Sequence, residues 1–446
     1  MLFNFLKYIR PTWYFNLEPK KNYDYFPERR DVMAQGFDIK EDREFLSKEA
    51  RTRDLAWRAF QMGFIKPEEQ KNGPLWEYTP LPIQDEYRFF RKNFHKGWVF
   101  YVLLFRLLQL NNPYKEIKAF YKTRNVKRDN YALQHFEYPG YETFESALIQ
   151  SNPLVSIIIP TLNRYGYLKD VFRDLEQQSY KNFEVLVVDQ TDDFQEAVYE
   201  GWNFDLRYWF QEEKALWKAR NLAILAARGD YILLYDDDSL IEPDWIDEHL
   251  KTLDFFNADI SSGVSISVVG AEVPKHYSYF RWSDQLDTGN VMLRKHVFAK
   301  IGLFDRQFEK QRMGDGEFGL RAYLAGFKNI SNPKAKRVHL KVSQGGLRQM
   351  GSWDGWRPKR LFAPRPIPSV LYLSRSYFGN RASRYYLLIH ILPSIVPIQY
   401  KSNKVLKLLA FVLFPIIIPL ILIQVWISWQ RSSKKLKQGP LIDPLV

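Results

Sequence analysis

The chain has no cysteine, which removes structural disulfides, thiolate metal sites and cysteine nucleophiles and fits a reducing compartment. Any metal must then rest on oxygen or imidazole. Zinc-finger spacing and other basic DNA-reading modules are missing. No glycine-rich phosphate loop follows the first apolar strand-like run, where "PTLNRYGY" stands instead. The N-terminus shows no small-residue cleavage site after an apolar core, so no secretory signal peptide is expected. Internal repeats and low-complexity tracts are also lacking.

What is present is a composition of 46% hydrophobic and 26% charged residues over 446 positions, ordinary for a globular chain with room for more than one domain. A formal charge of +13 points to an anionic partner. Much of the basic character lies near apolar stretches, which favours a membrane surface and phosphate over nucleic acid. Residues 408–430, "LLAFVLFPIIIPLILIQVWISWQ", carry no charge and are long enough to cross a hydrocarbon layer about 30 Å thick. Trp426 and Trp429 suit an interface. Lysines and arginines flank both ends, and Pro415 and Pro419 lie between, so a full span and a re-entrant segment both stay open. The shorter run 92–110, interrupted by Arg106, reads as a buried or interface-lying helix.

The texture divides the chain into a helical, aromatic-rich extension over 1–150, an α/β domain over 151–345, an amphipathic connection over 346–404, a membrane segment over 405–430 and a basic tail over 431–446. Within the second of these, "LVSIII" at 154–159, "FEVLVV" at 183–188, "LRYWF" at 206–210 and "YILLY" at 231–235 read as strands. Leu168, Val171, Phe172 and Leu175, and then Ala215 through Ala226, follow helical spacing between them. This is an α/β pattern, and ligands of such sheets bind outside the carboxyl ends of the strands.

At one such end stands "YDDDSLIEPDW", residues 235–245, with three adjacent aspartates. Like charges so close repel, and a cation would relieve them; carboxylate oxygens suit Mg²⁺ or Mn²⁺ together with substrate phosphates. A solvated turn ahead of a helix opening at Pro243 is the alternative.

Five blocks in order, "VSIIIPTLNR", "FEVLVVDQTDD", "KARNLAILAARGDYILLYDDDSLIEPDW", "GNVMLRKHVFAKIGLFD" and "GDGEFGLRAYLAG", resemble the signatures of glycosyltransferase family 2. The resemblance implies a GT-A fold, a Rossmann-like mixed α/β sheet flanked by helices, here with the N-terminal extension and C-terminal membrane segment added. It implies a nucleotide-sugar donor, a divalent metal (Mn²⁺ or Mg²⁺) and transfer with inversion. By position, Asp236, Asp237 and Asp238 match the DXD motif: Asp238 as metal ligand, Asp236 sharing the metal or, like Asp237, touching the donor. His339 matches a place where some members have a third metal ligand, although a lone strand histidine is more often structural.

Asp315 falls where similar enzymes keep the general base, with Gly314 replacing the usual preceding acid; an N-cap role for Asp315 is compatible. Glu317 could hydrogen-bond the acceptor, and Trp353 and Trp356 could wall a sugar ring, pack ordinarily or lie at a membrane surface. Pro160, Thr161, Leu162 and Arg164 match the nucleotide-binding edge, with Asn163 able to stabilise the turn. Gln190 stands where the family has an acid reading the base, so UDP, dTDP and GDP donors all stay open. Arg220 faces either the diphosphate or solvent. The QxxRW pattern of processive synthases is absent. The expectation is a membrane-anchored enzyme with a cytoplasmic catalytic domain, moving one sugar to a glycan or lipid-linked acceptor. A non-catalytic nucleotide-sugar-binding scaffold and a nucleotidyltransferase are the rivals.

Overall fold

The computed structural model describes all residues except 1, 21–24, 67–78, 268–272, 274, 343–344, 348–353, 398–399, 401 and 446. Its centre is a nine-stranded mixed sheet. The strands are β1 (Val155–Thr161), β2 (Phe183–Asp189), β3 (Asp205–Phe210), β4 (Tyr231–Tyr235), β5 (Ser239–Ile241), β6 (Ile260–Ser267), β7 (Arg281–Trp282), β8 (Asn290–Arg294) and β9 (Asn329–His339). They lie in the order β3-β2-β1-β4-β8-β6-β9-β5, with β7 on β9. The first four are parallel, with the apolar β1, β2 and β4 inside and the half-exposed β3 at the edge, and β8 enters antiparallel to β4.

Alternation along each strand feeds two cores. Ile157, Ile159, Val185, Val187 and Leu233 point to one face, covered by the helices Tyr165–Glu176 and Trp245–Phe255. Ile158, Leu186, Val188, Ile232 and Leu234 point to the other, where Trp217, Ala219 and Ala223 of the helix Leu216–Ala226 meet them. The helix after the aspartates starts at Trp245, with Asp244 as its N-cap, rather than at Pro243. The reason is local: the Pro243 carbonyl accepts from Ser179, and the Glu242 carbonyl from Gln178.

Among the described residues before 150 the regular elements are helices, and they pack directly on the sheet domain. Trp13 donates its indole N–H to Asp284 (3.1 Å), Tyr323 donates to the Leu17 carbonyl (2.9 Å), and the Tyr14 hydroxyl donates to the Gly316 carbonyl. The extension therefore covers the helix Gly314–Ala325. The 92–110 run forms a helix over Lys96–Leu108. Val99, Val102 and Leu103 face inward, while Phe100, Leu104 and Leu108 are exposed. Arg106 does not interrupt an apolar surface as a solvated charge: it is buried and forks onto Glu116 through Nε (2.9 Å) and Nη2 (2.6 Å).

The helix Lys404–Gln438 continues through both prolines and contains one segment, Val412–Gln438, long and apolar enough to cross a membrane. Its C-terminal end does not trail off. Lys435 donates to the Gln307 carbonyl (2.6 Å), and residues 441–443 run along 302–306 through paired backbone hydrogen bonds.

Removing one partner of a buried ion pair leaves the other uncompensated. Arg106→Leu is expected to cost roughly 3–5 kcal/mol and to lower the melting temperature of the detergent-solubilised chain accordingly. A surface arginine would change it by about 0.5 kcal/mol at most.

Candidate active site

The three aspartates follow β4 where its ladder ends, and the short β5 begins at once at Ser239. The β5–β9 register sets Ser239 opposite His339, so His339 arrives beside Asp238. Its Nε2 lies 3.3 Å from Asp238 Oδ1, and ligand atoms of Asp236, Asp238 and His339 all fall within 4.8 Å of one another. Period-2 alternation puts Arg337 on the same face of β9 as His339.

The repulsion is met first by the chain itself. Asp236 accepts from Arg220 Nη2 on one oxygen and from Arg337 Nη1 on the other, each at 2.9 Å. Arg164 Nη1 lies 2.9 Å from Asp237 Oδ1 and 3.0 Å from Asp238 Oδ2. Asp237 takes a further hydrogen bond from the Thr161 hydroxyl at 2.8 Å. Arg337 also reaches Asp287 (2.9 Å), Ser239 (2.9 Å) and, through Nε, Ser265 (2.7 Å). Four carboxylates thus meet three guanidinium groups, one negative charge in excess.

Burial drives the Asp237 carboxyl up to about 6 even though Arg164 pulls it down. Burial also works against the charge on Arg337, but Asp287 and Asp236 outweigh it and hold the guanidinium charged. Arg220 is fully buried, not on a solvated face; it donates to the Thr288 hydroxyl (2.7 Å) and carbonyl (2.8 Å) besides Asp236. A Cβ at Gly289 would stand 2.2 Å from both Asp236 Oδ2 and Arg337 Nη1, so only glycine lets β8 approach this network.

Two carboxylates and one imidazole in reach of a single point form a donor set suited to a hard divalent cation, and the surplus negative charge favours one. Mg²⁺ or Mn²⁺ fits these residues.

The other expected positions are distributed as follows. Pro160 and Thr161 are buried at the end of β1, and Leu162 is half-buried, its carbonyl accepting from Gly346 (2.8 Å). Asn163 takes the left-handed turn position (φ 56°), and its N–H donates to Thr191 (2.9 Å). Gln190 is buried; its Oε1 accepts from the Ala215 N–H (2.6 Å) and Gln211 Nε2 (3.1 Å). Among the described residues, Gln190 Nε2 and Gln211 Oε1 have no partner. One donor and one acceptor therefore stand side by side at the strand ends.

Asp315 is half-buried in the first turn of Gly314–Ala325, but the N-cap is Met313, in the left-handed region at φ 82°. Glu317 is buried with both oxygens engaged, one by Arg321 Nε (2.9 Å) and the Tyr377 hydroxyl (2.5 Å), the other by Arg321 Nη2 (3.0 Å). This ties the helix to the helix Pro368–Ile391 rather than offering an oxygen outward. Trp356 stacks on His390 at 4.8 Å with Tyr386 at its edge. Trp353 lies outside the described residues.

Arg337, Asp287 and Thr288 went unnoticed in the sequence. Alternation in "KRVH" was the available sign for Arg337; nothing local marks the other two. Gly314 has a physical reason: a Cβ there would come within 2.4 Å of the Trp217 ring, whose indole N–H is fixed on the Phe308 carbonyl (3.2 Å). Trp217 in turn carries the Arg220 guanidinium 5.5 Å from its ring centroid.

Residues 156–314 match the model of glycosyl transferase family 2. An uncharacterised glycosyltransferase of Rickettsia typhi is 27% identical over 178 residues, covering 35% of this chain and 55% of the relative. The Bacillus subtilis protein named "Putative glycosyltransferase EpsH" is 31% identical over 218 residues, covering 44% of this chain and 63% of EpsH. The chain thus spans just over half the length of the first and under two thirds of the second. The crystal structure of S. aureus TarS 1–349 in complex with UDP-GlcNAc aligns at TM-score 0.43 with 17% identity, over 64% of this chain and 92% of that one.

Restoring an acid at Gly314 would force it into the indole. Gly314→Asp is expected to lower the melting temperature by an amount equivalent to about 1–3 kcal/mol. Combining it with Trp217→Ala should shrink that penalty in a double-mutant cycle.

Proposed function

We propose that this protein is an inverting, metal-dependent glycosyltransferase that moves a single sugar from a nucleotide-sugar donor to a glycan or lipid-linked acceptor at a membrane. The observation that carries the reading is the convergence of Asp236, Asp238 and His339 at strand ends of a glycosyltransferase family 2 domain. Asp236, Asp238 and His339 would hold Mn²⁺ or Mg²⁺. Bound there, the ion supplies Lewis-acid neutralisation of charge on a departing diphosphate.

The remaining work falls to the chain. Arg164, parked on Asp237 and Asp238, is the cation that donor phosphate competes for, since a guanidinium forks equally well onto carboxylate or phosphate. Arg220 and Arg337 hold Asp236 in one orientation, so the site needs little rearrangement on binding. The Gln190 and Gln211 amides offer one donor and one acceptor to the imide edge of a base. Asp315 takes the proton from the acceptor hydroxyl as that oxygen attacks the anomeric carbon from the face opposite the diphosphate. Tyr14, half-buried beside Asp315 with its hydroxyl pushed well up by desolvation and by the carboxylate, covers one side of the base.

The helix Lys404–Gln438 anchors the enzyme. Along it Val405, Leu408, Val412, Ile416 and Leu422 are exposed, and the exposed face of Lys96–Leu108 adds Phe100, Leu104 and Leu108. Arg431, Lys434, Lys435 and Lys437 lie at the end that docks on the catalytic domain, which the positive-inside tendency puts on the cytoplasmic side.

Asp315→Asn is expected to cut transfer by roughly 10²–10⁴-fold while Mn²⁺-dependent thermal stabilisation by nucleoside diphosphate persists. Asp238→Ala should abolish that stabilisation. Normal transfer by the asparagine variant would place the base elsewhere.

A further inference from the structure

A cavity of about 620 Å³ lies away from the three aspartates, between the end of the helix Lys404–Gln438, the start of the helix Pro368–Ile391 and the 307–311 loop of the family 2 domain. Six cationic side chains line it: Arg357, Lys359, Arg360, Arg431, Lys434 and Lys435. Among the described residues that line it there is no carboxylate. Ile367, Ala363 and the prolines at 358, 364 and 368 supply an apolar part of the wall. Arg357 and Lys435 are already placed on backbone carbonyls, and the exposed Arg360, Arg431 and Lys434 add positive potential at the mouth, an arrangement that favours an anion.

Its position says which kind of anion. The segment 357–366 is tied to the long helix at one level: Gln424 Nε2 donates to the Leu361 carbonyl (2.7 Å), and Arg365 donates to Gln424 through its backbone N–H (3.2 Å) and Nε (2.9 Å). Toward the N-terminus of the helix from that level Leu422, Ile416 and Val412 lie bare while Ile421 is buried. From Gln424 onward Gln424, Ser428 and Ser432 are buried against protein, and Trp426 on the opposite side stays exposed near the boundary. At the same level Leu361 and Phe362 project, each 61% exposed, with Arg360 next to them. Apolar tips beside cations mark the boundary between hydrocarbon and headgroups. Arg360 stands at that boundary, while Arg431 and Lys434 start seven and ten residues further along the helix, about 10 and 15 Å at 1.5 Å per residue, at and beyond the outer edge of a polar layer about 5–8 Å deep; their long side chains can reach back toward it. The cavity therefore opens toward the headgroup layer from its water side.

We infer that this basic cavity binds the phosphate of an anionic membrane-lipid headgroup, with Arg360, Arg431, Lys434 and Lys435 around the phosphate and the apolar wall against the glycerol. This inference rests on the reading of Lys404–Gln438 as membrane-embedded, and not on sugar transfer. Bound lipid would brace the 307–311 loop, in which Lys435 already holds the Gln307 carbonyl and Gln311 Oε1 accepts from the Ser369 N–H (3.0 Å). From Gln311 to Asp315 is four residues, at most about 14 Å of chain, so lipid at this cavity adjoins the proposed acceptor side of the enzyme.

The test uses the full chain in neutral detergent and reads thermal stabilisation by dihexanoylphosphatidylglycerol, dihexanoylphosphatidylcholine and inorganic phosphate. The expected result is a saturable shift with dihexanoylphosphatidylglycerol alone, weakened roughly tenfold or more in affinity by Arg360→Glu and Lys434→Glu, made singly and together. Both side chains are exposed, so the variants' unliganded melting temperatures should stay near that of the parent and show that they fold. Arg431→Glu, also exposed, provides an independent third variant. Equal shifts with phosphatidylcholine would overturn the inference, as would an undiminished shift in the folded variants. A shift with inorganic phosphate matching that of the anionic lipid would make this a free-phosphate site and would equally overturn it. Loss of sugar transfer with the lipid response intact would instead count against the proposed function.

Discussion

Both oxygens of Asp236 are held by guanidinium groups buried in the protein, Arg220 from the helix Leu216–Ala226 and Arg337 from β9. Neither arginine could sit there alone, since an unpaired buried charge costs several kcal/mol; nor could Asp236. The pairing welds together elements from opposite ends of the domain: β4, which delivers the aspartates, the preceding helix, β8 through Gly289 and Thr288, and the late strand β9. His339 and Asp238 face one another because that weld fixes the β5–β9 register. A shift of one residue in β9 would turn both Arg337 and His339 to the other face.

This changes the physical account of the three aspartates. Their repulsion does not by itself demand a bound ion, because Arg164, Arg220 and Arg337 already offset most of it. What remains is a surplus of one negative charge and a donor set open to a hard cation. Arg164 differs from the other two arginines in being only half-buried and shared between Asp237, Asp238 and the Val342 carbonyl, whereas Arg220 is enclosed by Asp236 and Thr288 and Arg337 by two carboxylates and two serines; it is the member of the set suited to exchange partners. The surroundings are stiff by comparison. Trp217 fills the space beside Gly314 and supports Arg220, the N-terminal segment covers the helix of Asp315 through Tyr14, and the C-terminal strap at 441–443 clamps the 302–306 loop.

Much of the sheet is legible because parallel strands buried on both faces leave nearly continuous apolar runs, as at 154–159, 183–188 and 231–235, while the edge strand at 206–210 shows through its aromatic residues. The four runs correspond to β1 to β4 with shifts of a residue or two. The later strands were harder to see: β9 carries Lys334, Lys336, Arg337 and His339, and its pairing with β6 and β5 is a long-range choice that no local pattern announces. The same holds for the site. Acids at a strand end stand out in a sequence, but buried arginines look like any surface arginine until tertiary contacts enclose them, which is why Arg337 went unseen and Arg220 was left between two environments. Glu317 sits two residues from a candidate base and four from Arg321, and only the approach of Tyr377 from a helix 60 residues later shows that its carboxylate is spoken for. The basic tail likewise reads as solvent-exposed until the 302–307 loop is found beneath it.

The central claim is that the acid and arginine network around Asp236 and Asp238 is where a divalent ion and a nucleoside diphosphate meet. Anomalous diffraction from crystals grown with Mn²⁺ and a nucleoside diphosphate tests it most directly. The account predicts one strong manganese peak within bonding distance of Asp238 and His339, with Arg164 moved from the aspartates onto phosphate. A diphosphate bound with no manganese at these residues, or manganese bound elsewhere in the domain, would contradict it.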